Sequence, residues 1–363
     1  MPAYIHDIVT CTPESFSRQQ HIREVMKEHL GQDRKTRAII HRIYSQSGIE
    51  KRHSVIEDFA DNDQGSLFFN GQVKQIPDTR QRNQVYETEA KKLFVETGRE
   101  LLERSRTYAA SDITHVITVS CTGFFAPGPE FEIVKQLGLD HSTERYHIGF
   151  MGCFAAFPAM KMAASFCKSD PDAVVLLVCT ELCTIHFQMK EDIDNLLSGS
   201  VFADGAAGML LSSAKPDRGY KIDHFASTLV TEGEKDMAWK VGNEGFEIIL
   251  SAYVPEIIEN NLSEWLDPLI EKYGLQKAEI AEWAVHPGGR AILDKVMQSM
   301  QLSEEKIGSS RKVLSSYGNM SSPTVLFVLK EILENRSAKD EKIMALAFGP
   351  GLTVESGLLT KLS

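Results

Sequence analysis

Three side chains in this sequence carry chemistry that would fit together. Cys153 stands in GFMGCFAAF, between a Gly turn and the start of an Ala-rich helix. A helix N-terminus presents unpaired N–H groups and a partial positive charge, which lowers a thiol pKa, and a nearby imidazolium lowers it further. A thiolate so placed accepts an acyl group as a thioester and later releases it. His286 ends the strand-like run AEWAV and enters a PGG loop, and strand-end loops often hold catalytic groups. Asn319 lies in YGNMSS, at the turn into another helix. Each also has an ordinary reading: a buried structural Cys, a His bonded to backbone, an Asn that caps its helix. Taken together, a Cys nucleophile with His and Asn as donors to a developing oxyanion is a complete set for thioester chemistry. No carboxylate is needed for a Claisen condensation driven by decarboxylation.

The elements around these residues alternate strand and helix. Ile113–Val119 reads as a buried strand running into the loop CTGFFAPGPE, and Glu130–Leu137 as a short helix. A brief strand, Tyr146–Gly149, precedes the helix from Gly152 onward, and Ala173–Val178 and Ala206–Ser212 read as buried strands. The second half echoes this order. IAEWAV ends in HPGGRAI, SSYGNMSSPT opens the helix TVLFVLKEIL, and the strand KIMALAF ends in GPGLTVES. The alternation predicts a layered α/β fold of two similar halves, residues 1–215 with the Cys and 216–363 with the His and Asn. Turn residues in KPDRGY mark the join. Such halves place a site in the crevice between them, at the strand carboxyl ends.

Composition removes other classes. The chain has 363 residues, 42% hydrophobic and 25% charged, with a net charge of −11. That excludes collagen, coiled coil and wholesale disorder, and it disfavours a nucleic-acid binder, which needs clustered Lys and Arg. Arg34, Lys35, Arg37, Arg42, Lys51 and Arg52 do cluster locally, enough to hold a small anion or simply to solvate a helix face. The start, MPAYIHDIVTCTPESF, has no apolar export segment, and no stretch is long enough to span a bilayer. Six cysteines without an export signal point to reduced thiols in the cytoplasm. Cys179, Cys183 and His186 have the spacing C-x3-C-x2-H, close to that of zinc ligands. A closed site needs a fourth ligand and none is evident, so no metal is expected.

GFMGCFAAF, WAVHPGGRAI, SYGNMSSPTVLF and AFGPGLTVES, in this order, resemble the signature blocks of type III polyketide synthases, the chalcone-synthase-like enzymes. The resemblance runs from SGIEKRH near residue 50 almost to the end. It implies a thiolase-like layered αβαβα fold and a homodimer. It also implies acyl-CoA starters, malonyl-CoA extension, cyclisation or release as a pyrone, resorcinol or phloroglucinol-type product, and no cofactor. By motif, Cys153 resembles the nucleophile, and His286 and Asn319 the pair supporting decarboxylation. Phe202 in SVFADGAA and Phe246 in NEGFEIIL resemble gatekeeping positions. Ser321, the loop Phe348–Gly351, and Gly288 and Ala291 of HPGGRAI resemble positions that shape or bind at the cavity. Arg42 matches one of the basic positions that hold the CoA phosphates, while Ile39 and Gln46 occupy the other two. Arg34, Lys35 and Arg37 would then substitute, or the starter would arrive on a carrier protein. Cys183 and His186 stand where small hydroxyl residues line the family's cavity, which predicts a narrowed or redirected cavity here. The alternatives are a single-condensation β-ketoacyl synthase, a hydroxymethylglutaryl-CoA synthase, or a silent subunit that binds acyl thioesters. The intact trio argues against the last.

Overall fold

The computed structural model describes residues 1–60, 67–70, 73–251, 253–335 and 337–363. The first half begins with β1 (Ala3–Cys11), β2 (Phe16–Arg18), α1 (Gln19–His29), α2 (Arg34–Gln46), β3 (Lys51–His53), the short pair β4 (Phe69–Asn70) and β5 (Val73–Lys74), and the long α3 (Thr79–Arg104). It continues through β6 (His115–Ser120), α4 (Pro129–Leu137), β7 (Glu144–Gly149), α5 (Ala156–Ser169), β8 (Val174–Leu182), α6 (Ile193–Val201) and β9 (Asp204–Ser212). After the KPDRGY turn come β10 (Gly219–Leu229), the hairpin β11 (Met237–Gly242) and β12 (Gly245–Leu250), α7 (Val254–Lys272) and β13 (Ile280–Val285). The last elements are α8 (Arg290–Met300), α9 (Gly308–Tyr317), α10 (Thr324–Glu334), β14 (Glu341–Gly349) and β15 (Thr353–Leu362).

Side-chain alternation in the strands builds the layers. Along β8, Val175, Leu177 and Cys179 enter one apolar core, while Val174, Leu176, Val178 and Leu182 enter another. Along β14, Ile343, Ala345 and Ala347 join that first core, and Met344, Leu346 and Phe348 a third. A strand buried on both faces needs apolar residues at every position, and VVLLVCTEL supplies nearly that. The core common to both strands is filled by α5 and α10. Ala156, Ala159, Ala163 and Ala164 keep α5 thin, and α10 is buried continuously from Thr324 to Leu329. A helix enclosed by two sheets is apolar over the enclosed stretch, as α10 is from Val325 to Leu329, while Lys161 and Lys168 of α5 and Lys330, Glu331 and Glu334 of α10 lie on their less buried sides. The molecule is therefore helices, sheet, helices, sheet, helices: an αβαβα stack.

The strand order is β13-β14-β15-β10-β1-β9-β8-β6-β7. β6 runs parallel to β8, which runs antiparallel to β9, and β13–β14–β15 repeats that pattern. β1 lies antiparallel to β9 as β10 does to β15, and β1 and β10 join over only Ala3–Ile222, Tyr4–Lys221 and Ile5–Tyr220. The halves thus mirror each other about β1 and β10. The parallel strands β6, β7, β13 and β14 all send their carboxyl ends toward the same crevice. Among the described residues no helix is long and apolar enough to cross a membrane.

Candidate active site

Cys153 sits in the turn between β7 and α5, three residues before the helix proper. Gly152 there has φ +82°, and a Cβ on it would come within 2.6 Å of the Pro350 ring. A Cβ on Gly349 would in turn lie 2.5 Å from the Phe154 ring. The GFMGC turn of one half and the GPG loop of the other thus interlock, and only glycines permit so close an approach.

His286 follows β13 directly, its N–H donating to the Leu346 carbonyl at 2.7 Å. Its ring is buried, and neither ring nitrogen has a hydrogen-bond partner. Burial holds its pKa down to about 3, so the imidazole is neutral at rest. Asn319 lies between α9 and α10. Its backbone N–H donates to Val201 O at 2.8 Å, and its carbonyl accepts from Ala203 N–H at 2.9 Å. Its Oδ1 accepts from Ser321 N–H at 2.8 Å, and Nδ2 donates to Gly288 O at 3.3 Å. That is a local Asx turn, not a cap, because α10 starts only at Thr324. The turn leaves one Nδ2 hydrogen uncommitted.

One cavity of about 360 Å³ has Cys153, His286 and Asn319 in its wall, together with Cys183, Phe202, Ser321, Gly288, Ala291 and Arg42. The Cys153 thiol is only partly exposed. Burial pushes it up to about 11, opposed first by the Ser321 hydroxyl and then by the Asn319 amide, while the Glu181 carboxylate adds to the rise. This corrects the expectation of a thiol lowered by its helix: enclosure outweighs the helix terminus. The resting pair is thiol and neutral imidazole.

Two expected site residues lie outside that wall. The His186 ring donates from Nε2 to the Thr122 carbonyl at 2.7 Å and accepts the Phe246 N–H at Nδ1, 3.0 Å away. It stacks on Phe246, with centroids 4.2 Å apart and planes 8° from parallel. Both of its nitrogens are satisfied, and burial lowers its pKa to about 3. His186 is therefore turned away from the large cavity, and the narrowing expected of an imidazole at its wall does not occur there. Phe246 is buried in the same stack. Cys179 faces the central core, Cys183 the cavity, and His186 the hairpin, so the C-x3-C-x2-H spacing does not converge. Among the described residues no group of three metal-binding side chains forms. Nor are Ile39, Arg34, Lys35 and Arg37 in the cavity wall; Arg37 donates to the Gly31 carbonyl at 2.9 Å.

Other residues escaped the sequence reading. Glu181 is fully buried on β8. It accepts from Cys121 N–H at 2.9 Å and from the hydroxyls of Thr122 at 2.8 Å, Ser120 at 3.2 Å and Ser322 at 2.6 Å. Burial raises its pKa. It ties the loop after β6 to the turn carrying Asn319. Its signal was available: a lone carboxylate inside an otherwise apolar strand. The hairpin β11–β12 supplies Met237, Trp239, Ile248 and Leu250 to the cavity, with Trp239 Nε1 bonded to Cys121 O at 3.0 Å. Arg52, read from the sequence as part of a basic surface cluster, is instead buried: it donates to the Phe202 carbonyl at 2.5 Å and to Gln19 Oε1 at 2.9 Å, fixing the Phe202 backbone beside the cavity.

Known proteins match this arrangement. The family described as chalcone and stilbene synthases matches with its N-terminal domain over residues 2–216 and its C-terminal domain over residues 221–363. The alpha-pyrone synthesis polyketide synthase-like protein of Mycobacterium tuberculosis is 30% identical, over 98% of this chain and 90% of its own length. The probable polyketide synthase 1 of Dictyostelium discoideum is 28% identical over 98% of this chain, which spans only 11% of that protein's length. The C-terminal type III polyketide synthase domain of Steely1, a type I/III hybrid from Dictyostelium, superposes with a TM-score of 0.92. It shares 26% identity, with all of both chains covered.

Proposed function

The chain belongs to the chalcone and stilbene synthase family, the type III polyketide synthases, and from that premise we propose that Cys153, His286 and Asn319 are its catalytic residues. Its reaction class is acyl transfer with carbon–carbon bond formation from malonyl units. One observation carries the assignment of roles. The buried, unpartnered imidazole of His286 and the Asn319 amide, which acts on the Cys153 thiol, share a cavity wall with that thiol.

His286 is the base at that wall, since a neutral imidazole can take the thiol proton. The Cys153 sulfur attacks the carbonyl carbon of a starter thioester, the carrier thiol leaves with a proton, and the acyl group stays on Cys153. A malonyl thioester then enters. Its carbon–carboxylate bond breaks, carbon dioxide departs, and the electron pair becomes an enolate. The enolate oxygen accepts from Asn319 Nδ2–H and from the His286 ring N–H. Its carbon attacks the Cys153 thioester, and the sulfur leaves. The lengthened chain is now on the malonyl carrier and can reload Cys153. A mostly apolar wall favours the step, because burying an anionic carboxylate is costly and its loss as neutral carbon dioxide relieves that cost. The cycle is redox-neutral and complete with thiol, imidazole and amide, so it calls for no cofactor or metal.

We assign the substrates as malonyl-CoA and an acyl-CoA or carrier-protein starter, and the site of action as the cytoplasm, which six free thiols suit. A homodimer is proposed as well: β7 ends the strand order with its outer side unpaired among the described residues. Intact-protein mass spectrometry after incubation with acyl-CoA tests the roles. Wild type and Asn319→Ala should both gain the acyl mass on Cys153, and Cys153→Ala should not. Asn319→Ala should release far less carbon dioxide from malonyl-CoA. Acyl mass found elsewhere, or unchanged release, would refute the assignment.

A further inference from the structure

Arg82 stands near the start of α3 and is only 2% exposed. Burial lowers its pKa to about 10, with the Glu244 carboxylate opposing, so the guanidinium stays charged at neutral pH. Burying a charge is costly unless hydrogen bonds hold it. Here backbone carbonyls do so. Nε donates to Pro77 O at 3.0 Å, and Nη1 donates to Ile185 O at 2.7 Å and to Phe187 O at 2.8 Å. The guanidinium also lies over the Phe68 ring, 4.8 Å from its centroid.

Ile185 and Phe187 flank His186, so one side chain from α3 fixes the backbone on both sides of that imidazole. The ring in turn accepts the Phe246 N–H and stacks on Phe246. Gly245, the first residue of β12, passes over Arg82 with φ +97°. A Cβ there would come 2.7 Å from Arg82 Cδ and 2.8 Å from Nε, so glycine permits the close seat. Arg82 therefore carries the hairpin directly at Gly245 and, through His186, at Phe246. Alternate residues of a strand share a face, so Phe246, Ile248 and Leu250 point together. Phe246 is the anchor in the stack, while Ile248 and Leu250 line the cavity. Arg82 itself is not in the cavity wall. We propose that Arg82 is a positioning residue that sets product length: by seating Gly245 and His186 it fixes how far the hairpin β11–β12 closes on the growing chain. This role rests on the proposed function of the same cavity.

Products formed from malonyl-CoA and one acyl-CoA starter are resolved by mass. In Arg82→Gln the ratio of longer to shorter products should rise about threefold or more, because partition between release and another extension depends exponentially on a difference in barriers. Carbon dioxide release from malonyl-CoA, per folded molecule, should stay within about twofold, since Cys153, His286 and Asn319 stand on other elements. Arg82→Lys keeps the charge but offers one nitrogen to three carbonyls, and its ratio should fall between the two. Gly245→Ala spares the carbonyl bonds of Arg82 and lifts β12 off it. It should shift the ratio the same way, and it serves where Arg82→Gln does not fold. Leu101→Ala, a buried change farther along α3, should lower the melting temperature and leave the ratio alone. A purely structural Arg82 would behave like Leu101, with all products falling together. Hydrogen exchange gives a readout independent of turnover. Residues 184–188 and 245–250 should lose protection in Arg82→Gln, while β6 and β8 keep theirs. An unchanged ratio in both Arg82→Gln and Gly245→Ala, or protection lost evenly over the chain, would overturn the role. A wild-type protein that condenses no thioester would sink the proposed function and the length claim with it, and the exchange pattern would still decide whether Arg82 seats the hairpin.

Discussion

Asn319 has two amide hydrogens, and the fold uses one. Oδ1 is held by Ser321 N–H and one Nδ2–H by Gly288 O, so the other hydrogen is left to the Cys153 side of the cavity, where the amide opposes the rise of the thiol pKa. Asn319→Asp keeps the shape, removes both N–H donors and adds negative charge beside a developing enolate. Loss of one such donor costs about 10²–10³ in kcat, and we expect at least that in steady-state extension with malonyl-CoA. A rate within tenfold of wild type would show that the amide does not touch the enolate. His286 makes a prediction about pH. Its pKa in the folded protein is held near 3 by burial, against 6.5 when unfolded, so the unfolded chain binds the proton first on acidification. The stability from its neutral ring is complete above about pH 6.5 and drains as pH falls toward 3. Wild type should therefore lose about 1.4 kcal/mol per pH unit relative to His286→Gln between about pH 6 and 4, measured by urea unfolding. Parallel pH curves would mean that the ring is not desolvated. That Cys153, His286 and Asn319 would meet at one cavity was legible in the sequence, because each is a reactive type in a distinctive turn at a comparable place in its half. The thiol's raised pKa was not, because enclosure depends on the packing of the opposite half.

At the scale of elements, the hairpin β11–β12 is the part that sequence reading passed over. Its residues alternate too weakly to announce a strand pair, yet they form one side of the cavity. What pins it is His186, wedged between the Thr122 carbonyl and the Phe246 N–H and stacked on Phe246. The position was identified from its motif, and the direction of its side chain was not. His186→Thr removes the stack and strands a buried carbonyl and N–H, each costing about 1–3 kcal/mol when unsatisfied. We expect a lower melting temperature and, because the hairpin is released, a shifted distribution of product lengths by mass spectrometry. An unchanged product profile would show that the hairpin does not set the cavity's length. By contrast, the buried strands β6, β8, β9, β13 and β14 were readable as short apolar runs, β-branched in β6 and β8, since both faces of each are largely covered. The long α3 was not: its face is mixed, and tertiary packing decides it.

For the whole molecule, the pairing of halves was visible as repeated order, strand to Gly/Pro loop and turn to helix. The sequence could not show that the halves share a middle layer. α5 from one and α10 from the other fill a single core, with strands of both sheets against them. Neither half can lose that core alone, although β1 and β10 join them over only three residue pairs. Thermal unfolding should accordingly show one cooperative transition, and calorimetry resolving two separate transitions would contradict the shared core. The same packing brings the three together: β7 and β13 deliver Cys153 and His286, the turn between α9 and α10 delivers Asn319, all to one cavity, and neither half contains all three. The most direct measurement is mass spectrometry of products formed by the purified protein from malonyl-CoA and a panel of short, long and aromatic acyl-CoA starters, with Cys153→Ala beside it. The account predicts products lengthened by malonyl-derived units, absent from the variant. Products that persist in Cys153→Ala, or no lengthened product from any starter, would contradict it.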